Sequence, residues 1–194
     1  MLILLRHGQT SANAAGLLLG RTDLPLTELG RRQAAAAAAC LDGAVGRVVS
    51  SPLLRARETA ESLGRPVEVD ERWIEVDYGE YEGQPFREVP AELWAHWRDN
   101  PAFTPPGGES MAAVGQRVRE ACEELITEAA ATDIVVVSHV SPIKAAVAWA
   151  LGVGDEVAWR MFLDVAAISR VGVGVNGPAL RGYNDTAHLA PLTG

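Results

Sequence analysis

The chain has 194 residues, 48% hydrophobic and 22% charged, with a net charge of −8 at pH 7. That length and balance describe one globular domain with a full-sized core. The acidic surplus and the lack of a basic stripe argue against a nucleic-acid partner, and no apolar run reaches membrane-spanning length.

The chain opens on Leu2-Ile3-Leu4-Leu5, a short apolar run that reads as a buried strand leading into Arg6-His7-Gly8. Ser11 to Leu26, with Asn13, Gly16, Gly20 and Pro25, reads as a loop. Thr27 is an N-cap for a helix that runs through Ala34 to Ala39. Val45 to Ser50 is a second strand. Pro52 then starts a helix with Arg55 in its first turn and Arg57 on another face. Pro66 to Val69 reads as a third strand.

The stretch from Arg72 to Gly83 mixes carboxylates, aromatics and glycines too irregularly for a simple element. It reads as a functional loop. Pro85 to Trp97 is helical, and the segment 76–109 is expected to form a lid over the site. Ser110 caps a long amphipathic helix to Ala131, with Val114, Val118, Cys122 and Leu125 at helical spacing. Asp133 to Ser138 is apolar almost throughout, as a central parallel strand covered on both faces would be. It ends at His139. Pro142 starts a helix that Gly152 closes, and another helix covers Asp155 to Met161. Ile168 to Val175 and Ala179 to Tyr183 form a hairpin about Asn176-Gly177. Residues 191–194 read as a frayed end. The pattern predicts an α/β fold: a doubly wound, mostly parallel sheet with helices on both faces, in one domain over 1–194.

Cys40 and Cys122 lack disulfide or metal-ligand spacing and read as buried free thiols of a reducing compartment, which makes the cytoplasm the expected location. No metal and no cofactor is implied.

Two of the strands end in histidine, at His7 and His139, with Arg6 and Arg55 at the same rim. Four such groups would be costly without an anion between them. A tetrahedral phosphate, which accepts several charge-assisted bonds at once, is the natural occupant.

The residues resemble the histidine phosphatase superfamily, which includes the phosphoglycerate mutases. The resemblance rests on Leu5-Arg6-His7-Gly8-Gln9-Thr10, Ser50-Ser51-Pro52-Leu53-Leu54-Arg55, Glu75 to Gly83, Pro106-Gly107-Gly108-Glu109-Ser110 and Val137-Ser138-His139, in that order. It covers almost the whole chain and implies the phosphoglycerate mutase-like fold. It implies that His7 becomes phosphohistidine. Arg6, Arg55 and His139 would bind the phosphoryl oxygens, and Asn13 would add a hydrogen bond. Glu75 would protonate the leaving oxygen and then activate water. Acid work near neutral pH needs a carboxyl shielded by burial, and Trp73, Tyr78 and Tyr81 are candidates for that cover. Glu80 and Glu82 read as solvated or capping carboxylates, His96 as a surface residue and His188 as structural.

Gly79-Glu80-Tyr81-Glu82-Gly83 resembles the phosphatase branch, including α-ribazole phosphatases, broad-specificity acid phosphatases and the phosphatase domain fused to ribonuclease H. The mutases carry a basic, lysine-containing segment, whereas this chain has one lysine, Lys144, in a late helix. The expected activity is therefore hydrolysis of small-molecule phosphomonoesters. A mutase-type phosphotransferase is the alternative, and a non-catalytic phospho-ligand binder a further one. Val140 stands where many members have glycine, which bears on specificity. Arg21, Arg87, Arg98 and Trp97 are candidates for the outer pocket. Oligomeric state stays open, with a homodimer as what the resemblance implies.

Overall fold

The computed structural model describes residues 1–41, 43 and 45–192. Six strands form one sheet: β1 (Leu2–Arg6), β2 (Val45–Ser50), β3 (Val67–Val69), β4 (Asp133–Ser138), β5 (Ile168–Gly174) and β6 (Gly177–Asp185), in the order β3-β2-β4-β1-β5-β6. β3, β2, β4 and β1 run parallel, while β5 and β6 form an antiparallel hairpin beside β1.

Alternation along the central strands gives the sheet two covered faces. Leu2, Leu4, Ile134 and Val136 point into one cluster, against α5 (Met111–Ala129) and α6 (Val140–Leu151). Ile3, Leu5, Val135 and Val137 point into the other, against α2 (Glu28–Leu41) and α3 (Leu54–Glu61). Strands apolar at every position follow from burial on both sides. In α2 the alanine run turns Ala34 and Ala37 inward. Cys40 falls one step off that stripe and is exposed, contrary to its expected burial, while Cys122 is buried in α5.

Several boundaries differ from the sequence expectation. The segment after β1 is not all loop: Thr10 caps a short helix α1 (Ser11–Ala15) through a capping box with Asn13. α3 begins at Leu54 rather than at Pro52, because Asp23 accepts the Leu54 N–H (2.6 Å) from a distant loop. α6 begins at Val140, two residues before Pro142, which is tolerated in the first turn. Asp155–Arg160 winds as 3-10 turns rather than an α-helix. In the hairpin Gly174 pairs with Gly177, so the turn is Val175-Asn176, and Pro178 sits on the edge strand, where its missing N–H costs little. Pro191 and Leu192 close a 3-10 turn; the rest of the end expected to fray, 193–194, lies outside the described residues.

The segment 76–109 includes α4 (Ala91–Asp99) and packs onto the core through Val76, Val89, Leu93 and Trp97. Among the described residues no helix is long and apolar enough to cross a membrane.

Candidate active site

Register brings the site together. β4 lies between β1 and β2, with Arg6 opposite Ser138 and Ser50 opposite Val137. The residues just past the strands continue the ladder: the His7 N–H donates to Ser138 O (3.0 Å) and the Ser51 N–H to Val137 O (2.9 Å). His7, Ser51 and His139 thus emerge side by side at the carboxyl edge, where open α/β sheets bind ligands.

His7 is buried, with its ring 5.0 Å from that of His139. Its Nδ1 lies 2.7 Å from Gly8 O. A carbonyl only accepts, so Nδ1 carries the proton and Nε2 keeps its lone pair. Burial first, then the charges of Arg55 and Arg6, hold His7 well below the ordinary histidine value. The neutral imidazole is the form a nucleophile needs.

His139 has the opposite tautomer. Arg55 Nε donates to its Nδ1 (3.3 Å), so its proton lies on Nε2 and is donated to Ser51 Oγ (2.7 Å). Burial and the neighbouring Arg55 push its pKa down as well. Arg55 is fully buried and held to about 10 by burial. Its guanidinium donates to Gly20 O (2.6 Å) and Thr22 O (2.9 Å). Arg6 donates to Leu163 O (2.6 Å), and its Nε has no acceptor among the described residues.

Glu75 is buried at the same edge. Its carboxylate accepts the N–H groups of Val76 (2.9 Å), Val140 (3.1 Å) and Ser141 (3.1 Å). The latter two open α6, where a helix presents unpaired donors to an anion. Backbone amides thus hold the carboxylate. Burial raises the Tyr78 phenol, and the nearby Glu75 charge raises it further. Asn13 lies in α1, where its carboxamide oxygen accepts from the Thr10 hydroxyl (2.9 Å) and N–H (3.0 Å). That leaves its Nδ2 donors for another acceptor.

A Cβ at Gly8 would lie 2.3 Å from Gly30 O, and one at Gly30 2.1 Å from Gln9 O. The glycine lets α2 approach the turn that carries His7.

Several supporting residues were not singled out in the sequence. Ser51 accepts the proton on His139 Nε2 and orients the ring. Arg117 clamps the acid loop, donating to Arg72 O (2.6 Å) and pairing with Glu109 (3.0 Å). Glu82 has the capping role: it accepts the N–H groups of Gly20 (2.9 Å) and Thr22 (3.0 Å), whose carbonyls hold Arg55. Glu80 and His96 are exposed. His188 hydrogen-bonds Ala166 O (3.0 Å), and Ala166 N–H donates to His7 O (3.0 Å), so it supports the His7 backbone.

Next to the site is a cavity of about 180 Å³. Tyr78, Phe86, Trp94, Trp97 and Trp159 line it, with Lys144 as the one charged group among the described residues. Of the four outer-pocket candidates only Trp97 is there. Arg21 pairs with Glu109 and Asp77 in a neighbouring groove, Arg98 pairs with Asp99 at the surface, and Arg87 is exposed.

A neutral imidazole, two arginines, a second imidazole and a buried carboxylate thus converge at one sheet edge. The family model for the histidine phosphatase superfamily (branch 1) matches residues 2–186, and the chain belongs to that family. A bifunctional protein of Mycobacterium tuberculosis is 39% identical over 97% of this chain. The chain spans only 54% of that relative's length. A glucosyl-3-phosphoglycerate phosphatase of Mycolicibacterium vanbaalenii is 39% identical over 78% of this chain and 74% of its own. The structure of a phosphoserine phosphatase mutant from Entamoeba histolytica, in complex with phosphoserine, superimposes with a TM-score of 0.90. It is 28% identical and covers 97% of this chain and 98% of its own. The mostly parallel six-stranded sheet is the phosphoglycerate mutase-like fold of these phosphatases.

Proposed function

We propose that this chain hydrolyses phosphomonoesters of small metabolites through a phosphohistidine on His7. The observation that carries the reading is the Nδ1–H bond to Gly8 O, which leaves Nε2 unprotonated at a rim of cationic groups. The bound ester's negative charge lets Glu75 take up a proton from solvent; Nε2 attacks phosphorus, and the bond to the leaving oxygen breaks as Glu75 passes that proton to it. Water then attacks the phosphohistidine. Glu75 takes the water's proton, the P–N bond breaks, and phosphate leaves with His7 neutral. Arg6 and Arg55 neutralise the equatorial oxygens, His139 adds a further contact, and Asn13 offers an amide donor. The arginines supply the charge a metal would supply elsewhere, so turnover needs no added metal. The named phosphatases among its relatives support hydrolysis over transfer.

The proposal extends to 1–194 as a single domain in which 76–109 covers the site. It keeps the cytoplasm as location, on the two free thiols. Hydrolysis of p-nitrophenyl phosphate in EDTA, by wild type and His7→Ala, tests the activity. Turnover that vanishes in the variant supports it. A wild type inactive as hydrolase but isomerising 3-phosphoglycerate with a bisphosphate primer contradicts it.

A further inference from the structure

The aromatic cavity is continuous with the catalytic edge. The same two residues build both: Val140 and Ser141 hold Glu75 through their N–H groups and also line the cavity. Lys144 lies four and three residues further along α6, on the same face. The wall is a contiguous aromatic cluster. Trp94 lies 5.6 Å from Trp97 and 5.8 Å from Trp159, Trp97 meets Tyr78 edge-on at 5.7 Å, and Phe86 stacks on Trp94 at 6.3 Å. Phe86 is half exposed, at the mouth.

Within this apolar wall Lys144 stands out. It is partly buried, and burial lowers its pKa. It feels the charges of Glu75 and Arg6, yet no carboxylate lies within ion-pair distance of it among the described residues. A half-desolvated cation without a partner is a costly feature that a ligand anion would offset.

We infer that the cavity takes the leaving group of the ester, and that the group it fits has an aromatic body carrying an anionic substituent paired with Lys144. This rests on the phosphatase reading and narrows its substrate class. A cavity of about 180 Å³ suits one ring rather than a nucleotide. Aromatic faces against the ring give contact area at little entropic cost, and Lys144 in the wall selects for charge on it.

Arylphosphonates test this without turnover, because their C–P bond resists hydrolysis. Binding is read from quenching of the tryptophans that line the cavity. Wild type is expected to bind 4-carboxyphenylphosphonate about tenfold tighter than phenylphosphonate, the scale of one charge-assisted contact. Phenylphosphonate in turn should bind tighter than methylphosphonate. Lys144→Met should bring the carboxylate preference to about one, Lys144→Arg should keep most of it, and Trp94→Ala should erase the preference for aryl over methyl. Equal binding of the two arylphosphonates by wild type, or a carboxylate preference unchanged in Lys144→Met, overturns the inference. Ester hydrolysis can fail while these preferences stand, and the preferences can fail while hydrolysis stands, so the two readings are separable.

Discussion

The backbone N–H of Ser141 donates to the Glu75 carboxylate at 3.1 Å, which ties the acid loop to the first turn of the helix that follows His139. The proposed acid and the second histidine are therefore positioned by one helix terminus. Glu75→Gln puts an amide NH2 where one oxygen accepts N–H bonds, a loss of about 1–3 kcal/mol in stability. Its kcat for an alkyl phosphate should fall by about 10²–10⁴. The loss should be much smaller for p-nitrophenyl phosphate, whose leaving group needs no proton. Equal losses on both esters would remove Glu75 from the acid role.

Ser51 accepts the His139 Nε2 proton at 2.7 Å. Ser51→Ala removes the acceptor that orients the His139 ring, and kcat is expected to drop by about tenfold, with a smaller loss in stability of about 1 kcal/mol. Steady-state kinetics with a thermal melt separates the two effects. A variant with wild-type kcat would show that turnover does not depend on this bond.

Gly8 and Gly30 meet backbone to backbone. Gly8→Ala places a methyl 2.3 Å from Gly30 O, where no flexible side chain can give way. Overpacking of this kind costs about 1–3 kcal/mol, so the unfolding midpoint should fall clearly. Gly16→Ala makes a useful comparison, because its Cβ meets nothing within 4 Å. Its φ of 67° alone sets its cost.

His7 and His139 are both held below 6.5, by burial first and Arg55 next, and burial lowers His188 too. In the unfolded chain each takes up a proton as pH falls through about 6.5. In the folded chain they stay neutral until lower pH. The unfolded state then binds more protons, so stability falls as pH drops below about 6.5, and these groups have no effect well above it. Melts at about pH 7.5 and pH 5.5 should show the lower midpoint at the acid value, with a smaller difference in His7→Asn. A midpoint higher at the acid pH would contradict the buried, neutral imidazoles.

Much of this site is readable before folding because its chemistry sits where strands end. Arg6-His7 and Ser138-His139 follow apolar runs, and a parallel sheet brings such ends to one edge. Arg55 follows from its place just after a third such run. Glu75 is readable only through the resemblance, since its spacing does not separate it from Glu80 or Glu82. The supporting residues are less visible, because their roles depend on which distant segments meet. Ser51 matters through His139 across the strand pair, Glu82 through the carbonyls of Gly20 and Thr22, and Gly30 through a helix seated on the Gly8 turn. Asp23 moves the start of α3 by capping Leu54, a contact no local pattern announces.

The covalent step on His7 is the central claim, and trapping it is the most direct test. Wild-type protein mixed with a phosphomonoester, quenched in alkali and mapped by mass spectrometry should carry a phosphoryl group on His7. That group should be lost in acid and absent from His7→Ala. Turnover with no phosphoenzyme, or a phosphoryl group on any other residue, would contradict the account.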